Sequence, residues 1–273
     1  MDIKYNVSGL TNPILLREFL TQAGLSKTLI KKAKPEGLFV NGERVTVRKE
    51  LKNGDLVEIR LPEEKSEGIE PIDIPLNVIY EDEWLLIVDK PTNMPTHPSR
   101  GNSLPTLANA VMARYRGDFV FRAITRLDRD TSGLVLIAKD ANTANFLSRE
   151  LKQGKMYKRY EALVEGVPVP HYGMIDVPIR REEEGAMRRI VAMDGKSALT
   201  EYRVKEVIGE NALCDVILHT GRTHQIRVHF AYIGHPLLGD FLYGERRDEG
   251  YYLRCSELRF MHPQKGEELR ITI

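Results

Sequence analysis

A carboxylate set beside guanidinium groups can serve as a nucleophile, as a base or only as an ion-pair partner. The stretch Arg126-Leu127-Asp128-Arg129-Asp130 offers two aspartates and two arginines, and Thr131-Ser132 leads from it straight into the apolar run 133–138. Charges at the mouth of a buried strand must be paired or in use, because an unpaired buried charge is costly. The residue types leave two readings open: an Arg–Asp turn that ties a loop down, or a loop that presents an active carboxylate. Asp128 and Asp130 could also be taken as the acid/base pair of a hydrolase, but no second segment supplies a carboxylate at sugar-cleaving spacing. A second group of chemical side chains is Arg222, His224, Arg227 and His229. The two histidines are five positions apart, about 140° around a helix, so they face apart. They lack the spacing that places two ligands on one face, and no metal is expected.

These side chains need a frame. Residues 133–138 form a short, continuous apolar run of the kind found in strands buried on both faces. Residues 84–88 predict another strand, ended by Asp89-Lys90-Pro91 and followed by the rigid loop Met94-Pro95-Thr96-His97-Pro98. A helix is expected over 104–115, with Ser103 as N-cap and Gly117 at its end, and a second one up to Lys152, capped by Asp140 or Asn142. Residues 155–165 alternate, which sets Tyr157 and Tyr160 on opposite faces of a strand. The stretches 187–192 and 196–207 predict paired strands around Asp194-Gly195, and 212–219 a further strand. Thr223 is the expected cap of a helix reaching Ile233, with Ile226, Phe230 and Ile233 as its buried stripe and Arg227 beside it. Strands over 251–260 and 268–273 close the sheet.

Arg126-Leu127-Asp128, then Thr131-Ser132-Gly133-Leu134-Val135-Leu136, resembles the signature of the RluA-type pseudouridine synthases, which isomerise uridine in RNA. The resemblance extends to Lys90-Pro91 with His97-Pro98, to Lys158-Arg159-Tyr160, and to Thr220-Gly221-Arg222-Thr223-His224-Gln225-Ile226-Arg227 with Gly239-Asp240 beyond. It implies an α+β catalytic domain on a mixed, mostly antiparallel sheet. It implies roles as well: Asp128 is the essential carboxylate, Arg227 its charged partner, and Tyr160 the ring that stacks on the target base. Arg126 would help extrude the uridine, and Thr131, Arg222 and His224 would contact RNA. His97 then reads as a loop or RNA-facing residue, not as a base. Isomerisation adds and removes nothing, so no cofactor is implied. One departure is visible: the family's usual histidine before the arginine is Thr125 here.

Ahead of this domain, residues 13–61 read as a unit of their own. A helix is expected from Pro13, capped by Thr11 or Asn12 and ended by Gly24, and a second over 27–34 capped by Ser26. Asn41-Gly42 marks a tight hairpin and Asn53-Gly54 a second turn. This order resembles the S4 RNA-binding domain, small and α+β. Lys27, Lys31 and Lys32 are its candidate phosphate contacts, since basic side chains on one face displace counterions. Residues 62–75, acidic and rich in Pro and Gly, predict an extended, unpacked linker, leaving 76–273 as the catalytic domain.

Composition narrows the class. A formal charge of +1 over 273 residues means that nucleic acid must be met by local patches. Cys214 and Cys255 form no CxxC pair and read as buried free thiols in a reducing cytosol. The start of the chain lacks a signal-peptide core, and no apolar run reaches membrane-spanning length. The expectation is a cytoplasmic monomer that modifies RNA, ribosomal RNA ahead of tRNA, with a non-catalytic RNA-binding scaffold as the competing reading.

Overall fold

The apolar run after the charged loop is a strand with protein on both of its faces: Leu134 to Ala138 are fully buried. In the computed structural model the described residues are 2–25, 30, 31, 33–35, 37–60, 68–98, 105–245 and 250–273. The chain divides into two units, Met1–Glu67 and Gly68–Ile273.

In the first unit, β1 (Asp2–Asn6), β2 (Ile14–Leu15), α1 (Leu16–Gln22), β3 (Leu38–Val40), β4 (Glu43–Arg44), β5 (Glu50–Leu51) and β6 (Leu56–Arg60) follow in order. A sheet ordered β1-β6-β3-β4 and a small β2-β5 pair enclose a core of Leu16, Leu20, Leu38, Val57 and Ile59. The Asn41-Gly42 hairpin has positive φ at both turn residues, as its sequence requires. Two expectations change. The first helix starts at Leu16, not Pro13, because Ile14 and Leu15 pair with Leu51 and Glu50 and so belong to a strand. The unit also begins ahead of residue 13, since Asp2–Asn6 adds an edge strand along Leu56–Arg60. Of the second expected helix, Ile30 and Ala33 are buried and Lys31 exposed, while Ser26, Lys27 and Lys32 lie outside the described residues.

The second unit carries β7 (Asn77–Glu81), β8 (Leu85–Lys90), α2 (Leu107–Arg114), β9 (Arg122–Ala123), β10 (Ser132–Ala138), α3 (Ala141–Lys152) and β11 (Tyr157–Val164). It continues with β12 (Tyr172–Asp176), β13 (Ile179–Arg181), β14 (Arg189–Val191), β15 (Leu199–Ile208), β16 (Asn211–Leu218), α4 (Gln225–Tyr232), β17 (Leu253–Met261) and β18 (Glu268–Thr272). A ten-stranded sheet runs β12-β15-β16-β11-β17-β10-β8-β7, with β18 beside β17 and β9 beside β10. The α+β class is as the sequence implies. Antiparallel pairing prevails, but β10 meets β17 in parallel over Ser132↔Arg254 and Gly133↔Cys255. This short seam joins the sheet's two antiparallel halves, directly behind the charged loop.

Here too some expectations change. Residues 187–192 and 196–207 do not pair with each other. Arg189–Val191 pairs with Ile179–Arg181, and β15 pairs with the unexpected strand β12 and with β16. The local turn is real, with Gly195 N donating to Ala192 O, but the chain then crosses Ile179, where a side chain at Gly195 would not fit. Helix α2 starts at Leu107, because Thr106 and Asn109 cap each other's backbone amides. Ser103 lies outside the described residues. The stretch 68–75 is not unpacked: Ile69 and Ile74 lie against the large core, and Asn109 Nδ2 donates to Glu70 O. Apolar isoleucines between the prolines find cover that the acidic composition conceals.

Gly133 sits at the seam with φ +107°, and a Cβ there would lie 2.3 Å from the Cys255 carbonyl oxygen. Gly133→Ala should therefore force β10 and β17 apart, costing about 3 kcal/mol from overpacking and backbone strain together. Urea unfolding of the two proteins measures this.

Candidate active site

The loop that holds Asp128 is fixed by its main chain, which leaves the carboxylate free. Thr96 Oγ1 donates to Leu127 O at 2.9 Å, Thr131 N to Asp128 O at 3.2 Å and Met94 N to Arg129 O at 3.0 Å. Thr125 Oγ1 accepts from Leu136 N at 2.9 Å. Beneath the loop lies Lys90, fully buried, whose Nζ donates to the carbonyls of Pro91 (2.8 Å), Met94 (2.7 Å) and Arg129 (3.1 Å). Burial pushes the Lys90 ammonium down to about 8, while Asp130, Asp128 and Asp89 pull the other way. Arg129 and Asp130 pair with each other through two bonds, of 2.8 and 2.9 Å. Arg126 is exposed, and Asp128 keeps 34 % of its side chain open.

Arg227 comes up from α4 to face that carboxylate. Its Nη1 stands 4.0 Å from Asp128 Oδ2. Its tight partner is Asp240, fully buried, which accepts from Nε and Nη2 at 2.7 Å each. Burial disfavours the guanidinium charge, but the Asp240 bonds outweigh it and raise the Arg227 pKa above its ordinary value. The rings of Tyr251 and Tyr243 lie 4.7 and 5.0 Å from the guanidinium carbon. Helix α4 starts one residue later than expected from a Thr223 cap. His224 is the N-cap, in the left-handed region at φ 58°, without a side-chain capping bond. The buried Gln225 amide takes over the terminus, accepting from Arg222 N and donating to Leu199 O.

The histidines part company. His224 shares a hydrogen bond with Tyr243 Oη at 2.8 Å and brings Nε2 to 3.8 Å from Asp128. Burial holds its pKa below the ordinary value, with Asp128 pulling against it. His229 is buried between Thr200 Oγ1 and Val177 O. His97 packs edge-on against Phe121 at 4.9 Å.

A cavity of about 720 Å³ opens over the loop. Asp128, Arg227 and Tyr160 line it, and so do Arg126, Thr131, Arg222 and His224. Residues drawn from three separate stretches of sequence thus meet in one place. Tyr160 is buried, with its pKa held well above the ordinary range by burial and by the Cys255 thiol beside it. Tyr157, on the other face of β11, lies under the Arg259 guanidinium at 4.5 Å. Thr131 is buried and its hydroxyl turns to Tyr251 Oη at 3.4 Å, while Arg222 is exposed and donates to Ser197 O. Lys31 is exposed on the first unit, and Lys27 and Lys32 lie outside the described residues. Asp240 and Lys90 were missed as site residues by sequence reasoning. Both stand in motifs that carry the resemblance, and each ends or follows an apolar segment, which are the signals that could have found them. A carboxylate near a fixed cation and a buried ring can attack, or take a proton from, a base or sugar lodged between them.

The comparisons with known proteins agree on a family. Residues 84–232 match the family model described as RNA pseudouridylate synthase. An uncharacterised RNA pseudouridine synthase of Bacillus subtilis is 39 % identical over 263 residues, 93 % of each chain. The ribosomal large subunit pseudouridine synthase D of Vibrio cholerae is 37 % identical over 89 % of this chain and 82 % of its own. Among solved structures, human RNA pseudouridylate synthase domain containing 1 superposes with a TM-score of 0.60 at 29 % identity, covering 73 % of this chain and 83 % of its own.

Removing the buried carboxylate of Asp240 leaves Arg227 without its tight partner. Asp240→Ala should cost about 3–5 kcal/mol of unfolding free energy, as for one half of a buried ion pair. Denaturant unfolding gives the value.

Proposed function

The chain belongs to the RNA pseudouridylate synthase family, and we propose that it isomerises uridines of large-subunit ribosomal RNA, with Asp128 as the reacting carboxylate. The observation that carries this reading is the meeting of Asp128, Arg227 and Tyr160 around one cavity. The C1′–N1 bond of a flipped uridine breaks, the base turns, C1′ bonds to C5, and the proton leaving C5 is balanced by one gained at N1. Flipping itself costs a few kcal/mol of lost stacking. Asp128 acts as nucleophile or base on the sugar. Arg227 orients it from below, and Tyr160 gives the base a face to lie on. Arg126, exposed at the rim, fills the place that the base leaves. Arg222 and His224 line the same wall and meet the RNA; Thr131 supports Asp128 from within. The ribosomal target is supported by the name of the Vibrio cholerae relative. tRNA is the second reading.

The first unit is read as an S4-like RNA-binding module, and the second, from Gly68 onward, as the catalytic domain. Its support is the element order and the exposure of Lys31, Lys34, Arg44, Arg48, Lys49 and Lys52. Cations without aromatic neighbours read phosphates and shape, not bases. No helix among the described residues is long and apolar enough to cross a membrane. A cytoplasmic monomer is the proposed working form.

Two measurements test this reading. Asp128→Asn should abolish pseudouridine formation while RNA binding changes little; appreciable turnover by that variant sinks the assignment. Chemical mapping of pseudouridines in RNA from a strain lacking the gene should show sites missing from large-subunit rRNA, and losses confined to tRNA would select the second reading. For the first unit, replacing Lys31 and Arg44 with alanine should reduce the salt slope of RNA affinity by about one per lost contact, as read by filter binding.

A further inference from the structure

Lys158 lines the same cavity, and neither the loop nor the Arg227 pair accounts for its placement. It stands on β11 two residues before Tyr160, on the same buried face, and only 7 % of it is exposed. Two residues of strand separate the side chains by about 7 Å. Among the described residues its ammonium has no hydrogen-bond acceptor and no carboxylate partner. Its electrostatic neighbour is the Cys255 thiol, which burial pushes up to about 12 and so keeps neutral. A cation this buried is costly unless something answers it. In front of it stands Gly221, where even a Cβ would lie 3.5 Å from Nζ, so the absent side chain leaves the ammonium facing the cavity. The pairing of β11 with β17 slips at this point, between Arg159 and Tyr160, and slips of this kind re-aim side chains beside active sites.

We propose that Lys158 donates a hydrogen bond to the C4 carbonyl oxygen of the flipped uracil. The proposal rests on reading the cavity as the active site. With C1′ at Asp128 and the ring on Tyr160, the edge opposite N1 carries C4 and its oxygen, and it points along β11 towards Lys158. An ammonium has three donors and no acceptor. It fits the carbonyl of uracil and meets the amino group of cytosine donor to donor. When the C1′–N1 bond breaks, its electron pair leaves with the base and spreads onto both carbonyl oxygens. The bond from Lys158 therefore strengthens as the reaction proceeds, which places its effect on the chemical step. Lys158 is then both a selector of uracil and a catalytic residue.

The test uses the full chain and [5-³H]uridine-labelled total RNA from a strain lacking the gene, with tritium release followed under single turnover. Lys158→Met removes the charge and keeps the length. It should lower the single-turnover rate by about tenfold to a hundredfold, the worth of a hydrogen bond to a charged donor. RNA affinity, its salt slope and the melting temperature should hold, or the last should rise as a desolvated charge is removed. Lys158→Gln, with one amide donor, should fall between Met and wild type. A rate within twofold of wild type in Lys158→Met overturns the proposal. So does a loss that appears as weaker, less salt-dependent binding at unchanged rate, which would make Lys158 a phosphate contact. Failure of both variants to fold also overturns it, because a cation without a partner cannot be holding the fold. Asp128→Asn runs in parallel: wild-type turnover by that variant would remove the active-site reading itself, whatever Lys158 does.

Discussion

The burial of one arginine organises the catalytic unit. The Arg227 guanidinium is almost wholly removed from water, and an isolated charge there would cost several kcal/mol. Asp240 answers it with two 2.7 Å bonds from a fully buried carboxylate. Tyr251 and Tyr243 close over it with their rings. Asp128, 4.0 Å away and a third exposed, adds on the order of 1 kcal/mol after solvent screening. The magnitudes separate the roles. Asp240 positions the cation, and the cation then stands ready for Asp128 without depending on it. The Arg227–Asp240 pair is thus fixed independently of Asp128, which is the meaning of preorganisation.

A second buried cation does similar service for the loop. Lys90 ties three carbonyls, from Pro91, Met94 and Arg129, into one knot under Asp128. The loop can then turn without repeating secondary structure while these three carbonyls stay paired. Behind it, Gly133 lets β10 begin against β17 at a distance that no side chain tolerates. Thr125 stands where the resembled signature has histidine, and its hydroxyl accepts the Leu136 amide. The departure thus leaves the Leu136 amide paired.

Much of this could be read along the chain. The continuous apolar runs 85–88 and 134–138 became fully buried strands, and the alternation of 157–164 placed Tyr157 and Tyr160 on opposite faces. Asn41-Gly42 made its hairpin and Asp140 its helix cap. Such features are local: period, turn chemistry and caps act over a few residues. The errors also share a cause. Ile14-Leu15 looked helical until Glu50-Leu51 paired with it, and 187–192 looked like the partner of 196–207 until 179–181 took its place. Short strands choose partners by what the rest of the fold brings near, and that is not written at the strand itself.

The sequence by itself pointed to the family and to its candidate side chains: a carboxylate in Arg126-Leu127-Asp128, a ring in Lys158-Arg159-Tyr160 and an arginine in the helix after Thr223. Only the tertiary structure decided which charges are free to act. Lys90, Asp240 and Lys158 stand in the motifs that carry the resemblance, but nothing along the chain says what each one touches. Burial makes them consequential, because a charge withdrawn from water must find an answer. Lys90 finds three carbonyls, Asp240 finds Arg227, and Lys158 finds none among the described residues. Desolvation is a property of the folded surroundings, so no spacing along the chain could have announced it.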